Sequence, residues 1–220
     1  MQNSRLTILL ASLPVLLALG CKARVPTIDA PFSDDFERAE PGPTWVDTSE
    51  NSAYRIVGGK LIAKAAYNHP LWLQRRLPSN VVIEFDAMSK SPAGDIKVEL
   101  YGDGRSYDPD KGRYDPTSYL IIFGGWGNSS CVIGRLGEHD EAVKASKVRG
   151  QQDPAFVQPG RTYHFKITRR NGAIDWQIDG APFMSYTDPS PLAGADHEYF
   201  AINDWEAELV FDNLRIRPAE

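Results

Sequence analysis

Tyr163-His164-Phe165-Lys166-Ile167-Thr168 alternates apolar and polar side chains, and Asn171-Gly172, residues 173–178, Asp179-Gly180 and residues 182–186 follow it. Alternation with a period of two belongs to a strand with one buried face. Asn-Gly and Asp-Gly are the dipeptides that enter the left-handed turn joining two antiparallel strands. Residues 163–186 therefore read as a three-stranded meander.

The same reading extends outward. In Val81-Val82-Ile83-Glu84-Phe85-Asp86-Ala87 the apolar positions 81, 83, 85 and 87 alternate with the carboxylates at 84 and 86. Residues 54–57, Gly58-Gly59 and 60–65 give a hairpin. Further strands are predicted over 72–77, 81–89, 96–101, 118–123, 131–136, 198–202 and 208–216. Beyond the first twenty residues no stretch of helical length shows an apolar face with a 3.6-residue period. About a dozen short strands make an all-β, single-domain sandwich of two antiparallel sheets over 32–220.

Composition agrees with a folded domain: 220 residues, 42% hydrophobic and 24% charged. The balance of 24 Lys and Arg against 29 Asp and Glu gives −5. No run of basic residues appears, so nucleic acid is not an expected partner. A coiled coil, a multi-span membrane protein and a collagen-like chain are excluded by the same numbers.

Residues 1–20 carry Arg5 as their one charge, followed by an apolar run from Leu6 to Leu19 broken at Ser12 and Pro14. That run is short for a membrane span and fits a secretory signal. Leu17-Ala18-Leu19-Gly20-Cys21 resembles the lipobox of bacterial lipoproteins, although Ala18 stands where Leu is usual. The resemblance implies cleavage before Cys21, its lipidation, and a tether over 21–31. It also implies a lipid-anchored protein of the cell envelope; Lys22, rather than Asp, points to the outer membrane. With Cys21 acylated, Cys131 is left to a domain without disulfides, and Cys131-Val132-Ile133 places it as a small core hydrophobe.

Phe32-Ser33-Asp34-Asp35-Phe36-Glu37, Trp45 and Tyr54-Arg55-Ile56-Val57-Gly58-Gly59-Lys60-Leu61 resemble the opening of concanavalin A-like lectin and glucanase jelly rolls. The 160–180 meander resembles the same superfamily, as does the ending Ala201-Ile202-Asn203-Asp204-Trp205…Val210-Phe211-Asp212-Asn213-Leu214-Arg215-Ile216. The ending is similar in particular to the exported 3-keto-disaccharide hydrolase-like family. The resemblance spans about 32–218 and implies a jelly roll whose concave face and rim loops bind glycans. The Glu-x-Asp-x-Glu signature of family 16 glycoside hydrolases is missing; Asp204-Trp205-Glu206-Ala207-Glu208 is the nearest approach, placed where the chain must turn.

Sugar rings are recognised by flat aromatics together with planar hydrogen-bonding groups. Tyr101-Gly102-Asp103-Gly104-Arg105-Ser106-Tyr107-Asp108-Pro109, with a second Arg113-Tyr114-Asp115-Pro116, offers this mixture in a connection of unusual length. Gly124-Gly125-Trp126-Gly127-Asn128 offers it beside small residues that let a ligand approach. The candidate ligand-binding residues are Trp126, Asn128, Tyr101, Asp103, Arg105, Arg135, Asn203 and Trp205, with Trp72 on the same face. Candidate acid–base groups are Glu138, His139 and Glu206, the first two needing a turn at Gly137 to converge. Asp34, Asp35 and Asp212 could meet where the termini lie side by side and hold a structural calcium; no other cofactor is expected. The leading reading is an exported, lipid-anchored carbohydrate-binding protein. The alternatives are a glycoside hydrolase or lyase acting on poly- or disaccharides, and a structural envelope module.

Overall fold

The computed structural model describes residues 25–150 and 156–220. The signal segment, Cys21 and Lys22 lie outside the described residues. In chain order the strands are β1 (Phe32–Asp34), β2 (Trp45–Asp47), β3 (Tyr54–Val57), β4 (Lys60–Lys64), β5 (Leu71–Arg76) and β6 (Val81–Ser89). They continue as β7 (Ile96–Gly102), β8 (Tyr107–Asp108), β9 (Arg113–Tyr114), β10 (Tyr119–Gly124), β11 (Ser130–Arg135) and β12 (Val143–Val148). The last are β13 (Thr162–Arg170), β14 (Ala173–Ile178), β15 (Ala181–Thr187), β16 (Tyr199–Asn203) and β17 (Glu208–Pro218).

Apart from β8 and β9, which pair with each other, these strands form two large antiparallel sheets. One runs β15-β14-β13-β6-β17-β4-β3, with β1 paired to β17; the other runs β12-β11-β10-β7-β16-β5-β2. The all-β sandwich expected from the alternation is what the chain adopts. The meander is present as β13-β14-β15. Its two turns hold positive φ at both central residues, 46° and 84° at Asn171-Gly172 and 53° and 79° at Asp179-Gly180. Those signs match the right-handed twist of the flanking strands.

Alternating side chains from both sheets meet in one core. Val81, Ile83, Phe85 and Ala87 of β6 and Tyr163, Phe165 and Ile167 of β13 face Ile96, Val98 and Leu100 of β7 and Tyr119, Ile121 and Phe123 of β10. Phe85 stacks on Phe165 at 4.9 Å, and Phe123 meets Trp176 edge-on at 6.1 Å. Each such burial contributes about 1.5–3 kcal/mol. Cys131 lies in this core, its sulfur accepting the Gly124 amide at 3.4 Å.

The short strands β1, β2, β8 and β9 were not among the expected ones, and two longer segments also differ from expectation. Val143–Val148 forms an edge strand, hidden in the sequence because Lys144, Ser146 and Val148 leave an exposed face and only a half-buried opposite row. The Trp126 segment, expected as a loop, is a single tight turn, α1 (Gly125–Asn128), in which Trp126 and Gly127 are left-handed.

The proposed calcium aspartates do not assemble. Asp34 is engaged by both guanidinium nitrogens of Arg38 and by the Trp45 indole, and Asp212 by Lys60. Asp35 caps the amide of Glu37. Among the described residues no group of three or more His, Cys, Asp or Glu is arranged to hold a metal ion.

Candidate functional site

The site is built outward from β7. Because β7 runs between β10 and β16, its pattern Ile96-Lys97-Val98-Glu99-Leu100 sends the three apolar side chains into the core. Lys97 and Glu99 therefore go to the outer face of the seven-stranded sheet, where both are buried. Buried charges persist when they are paired or hydrogen-bonded.

Glu99 receives four donors: Ser106 Oγ at 2.6 Å, Ser118 Oγ at 2.7 Å, Asn203 Nδ2 at 2.8 Å and the Tyr114 hydroxyl at 2.9 Å. Burial pushes its carboxyl above the usual range, although the Ser106, Ser118 and Tyr114 donors pull it down. Since Ser106 and Tyr114 belong to the long β7–β10 connection, Glu99 fastens that connection to the sheet.

Lys97 is 3% exposed and donates to Asn68 Oδ1 at 2.7 Å and Glu138 Oε2 at 2.9 Å. Burial would lower its pKa, but the charges of Asp95 and Glu138 outweigh that and hold the ammonium above its ordinary value. Burial raises the Asp95 carboxyl against the pull of Lys97. Asp95 accepts the Trp205 amide at 3.1 Å, which ties the β16–β17 turn to the start of β7.

Over this floor opens a groove of about 1110 Å³, walled by Arg113 and Tyr114 on one side and by the Trp126, Glu138–His139 and Trp205–Glu206 loops on the others. The two indoles stand on its rim, 43% exposed at Trp126 and 48% at Trp205. Each is braced edge-on, Trp126 by His139 at 5.6 Å and Trp205 by Tyr67 at 5.3 Å. Leu136 has a positive φ of 58°, which ends β11 and turns the chain so that Glu138 and His139 both reach the groove. Their side chains come within 3.8 Å of each other.

Of the sequence-derived candidates, the groove gathers Trp126, Trp205, Glu138, His139 and Glu206. Asn203 lies fully buried beneath it, bonded to Glu99. The others are placed elsewhere, each for a local reason. Tyr101 has a positive φ of 61°, and this irregularity in β7 turns its ring into the core, where the hydroxyl donates to Pro78 O at 2.7 Å and Arg169 covers the face at 3.9 Å. Asp103 is a turn residue whose carboxylate accepts the amides of Arg105 and Ser106, and Arg105 is exposed on that turn, outside the groove. Asn128 spends its amide on both backbone groups of Val157, at 2.7 and 3.1 Å. Arg135 is bound to Asp188 at 2.7 Å and to Ser190 O at 2.9 Å. Trp72 is on the outer face as expected but is fully buried against Gly102.

The three carboxylates of 204–208 diverge. Glu206 faces the groove, Glu208 joins Lys64 and Lys90 on β17, and Asp204 is buried under the turn. Asp204 Oδ2 accepts the Ala66 amide at 3.3 Å, while Oδ1 has no hydrogen-bond partner. Burial pushes its pKa up to about 7.

Asn68, Asp95 and Lys97 escaped the sequence reading as a floor. The available signal was the charged pair Lys97 and Glu99 in a strand bounded by apolar neighbours. It becomes meaningful once that strand is known to be central, because buried Lys and Glu are rare unless paired.

No sequence relative was found among curated proteins. Solved structures share the fold. A galectin-like protein of unknown function from Bacillus subtilis aligns with TM-score 0.60 and 14% identity over 87% of this chain and 97% of that one. An alginate lyase aligns with TM-score 0.57 and 13% identity over 88% and 99%. A carbohydrate-binding module from Bacillus subtilis aligns with TM-score 0.54 and 13% identity over 78% and 94%. At these identities they are similar in fold. The family described as Farnesoic acid 0-methyl transferase, and not the hydrolase-like family that the terminal strand resembles, matches residues 106–215, half of the chain; the chain belongs to that family.

Proposed function

We propose that the protein binds carbohydrate in the groove on the outer face of the seven-stranded sheet, as an exported and lipid-anchored component of the cell envelope. The observation that carries this reading is the pair of exposed, braced indoles on one groove whose floor is polar. Flat apolar platforms suit the C–H faces of sugar rings, and Asn68, Lys97 and Glu138 suit their hydroxyls. Trp126 adds a second argument: a bulky residue held at φ 51° is strained, and strain of this kind concentrates at ligand sites. The fold neighbours include a carbohydrate-binding module and an alginate lyase, which supports sugar as the ligand class. The name of the family suggests transfer of a methyl group to farnesoic acid. An isoprenoid chain laid over Asn68, Asp95 and Glu138, which are only partly buried, would strip water from those groups without replacing their hydrogen bonds, so the floor favours sugar over that substrate.

A glycoside hydrolase or lyase is the second reading, favoured by Asp95 and Glu138 flanking Lys97 in the groove. Burial raises the Asp95 carboxyl toward the protonated form, whereas Glu138 is hydrogen-bonded to an ammonium. Carboxyls in contrasting environments are the usual basis of acid–base roles.

The test is Trp126→Ala on a glycan array and by calorimetry. Losing the platform removes about 1–3 kcal/mol of binding, a 5- to 150-fold drop in affinity, with the thermal midpoint nearly unchanged. Undiminished glycan affinity in both Trp126→Ala and Trp205→Ala would overturn the reading. Release of reducing or unsaturated ends from a bound glycan, lost in Asp95→Asn and Glu138→Gln, would move the protein to the enzyme reading.

A further inference from the structure

The glycan reading leaves the class of sugar open, and the distribution of charge narrows it. Five carboxylates line the groove, Asp95, Asp115, Glu138, Asp140 and Glu206, against two cations, Lys97 and Arg113. Leaving out Asp95, which burial pushes toward neutrality, the count is still four against two. Lys97 and Glu138 are paired with each other, which leaves Arg113 against Asp115, Asp140 and Glu206 among the lining residues, with Asp115 also bridged by Lys111 at 3.4 Å.

This bias is local and does not simply reflect the overall charge. The outer face of the opposite sheet carries Lys166, Arg170 and Arg217 around a smaller recess whose lining contains one carboxylate, Asp175. The acidic excess belongs to the groove; on the opposite face carboxylates such as Glu84 and Asp86 stand among the cations. Like charges facing each other across an interface oppose association, and low-dielectric walls strengthen the effect.

We infer that the groove selects glycans without acidic groups, neutral or amino-bearing chains, and excludes uronate-bearing and sulfated ones. The inference rests on the glycan reading. It sets this chain apart from its fold neighbour the alginate lyase, whose substrate carries a carboxylate on every ring.

The experiment is an array carrying neutral, amino-bearing, uronate-bearing and sulfated glycans, read at about 20 mM salt, where screening is weak. The wild-type chain binds neutral or amino-bearing glycans at least tenfold more tightly than any acidic one, and Trp126→Ala weakens that binding. A double variant, Glu206→Lys with Asp140→Asn, changes two exposed rim positions and shifts the groove by three charges. It narrows the preference by about tenfold or more, and a thermal midpoint within a few degrees of wild type shows that it folds. Wild-type binding to uronate-bearing or sulfated glycans that Trp126→Ala abolishes would keep the glycan reading and overturn this one. A preference unmoved by the double variant would overturn it too. An array with no bound glycan at all would remove the glycan reading and this inference with it.

Discussion

Asp204→Asn should flatten the pH dependence of stability between pH 5 and pH 8. Asp204 is wholly buried, one oxygen lacks a partner, and its pKa is pushed up to about 7 from an ordinary 3.8. The folded chain therefore holds a proton at this site that the unfolded chain releases across most of that window. Stability contributed by the group is fully present below about pH 4 and is lost as pH rises through about 7. Integrated from pH 8 down to pH 5, the group adds about 2–3 kcal/mol, at about 1.36 kcal/mol per pKa unit. For a domain of this size that is a midpoint rise of about 5–10 °C on acidification. Asparagine keeps the shape and an acceptor for the Ala66 amide but carries no titrating proton. Urea unfolding at pH 5 and pH 8 measures the effect as a difference between the two proteins, in which groups remote from Asp204 cancel, while Asp95, whose charge also raises Asp204, is coupled to it. Glu208, held down to about 2 by Lys90 and Lys64, titrates outside the window. Equal slopes in wild type and variant would refute the assignment of a buried, protonated carboxyl to this turn.

Three further outcomes follow from the same packing. Glu99→Gln replaces an acceptor of four hydrogen bonds with a group that presents N–H either to the Ser106 and Ser118 hydroxyls or to Tyr114 and the Asn203 amide; about 1–3 kcal/mol should be lost, and hydrogen exchange should show the 103–117 connection opening before the sheets. Gly102→Ala places a methyl on the Trp72 ring, so about 1–3 kcal/mol of overpacking should appear in denaturant titration, and an unchanged midpoint would show that Trp72 can move. Cys21→Ser should transfer the protein from the detergent-requiring membrane fraction to the soluble one, and a wild type already soluble would remove the anchor.

The strands were legible because their signal is local. The 163–168 alternation and the Asn171-Gly172 turn need only neighbouring residues, and β6 and β13–β15 stand where that pattern puts them. Edge strand β12 was not legible, since half-exposed pairing leaves little apolar contrast. Trp126 and Trp205 stood out in the sequence for their glycine, asparagine and aspartate neighbours, and both are on the groove. Tyr101, Asn128 and Arg135 had equally suggestive neighbours and were drawn into the fold by Pro78 and Arg169, by Val157 and by Asp188.

The amino-acid sequence by itself determined the long central strands and the two-sheet architecture, because side-chain period and turn chemistry act over a few residues. The tertiary structure alone decided the floor of the groove. Lys97 meets Asn68 and Glu138 across separations of 29 and 41 residues, and Glu99 meets Asn203 across 104. Those partners are set by strand order, which places β7 between β10 and β16. That Tyr101 is core depends likewise on its positive φ, which no pattern in the neighbouring residues announces.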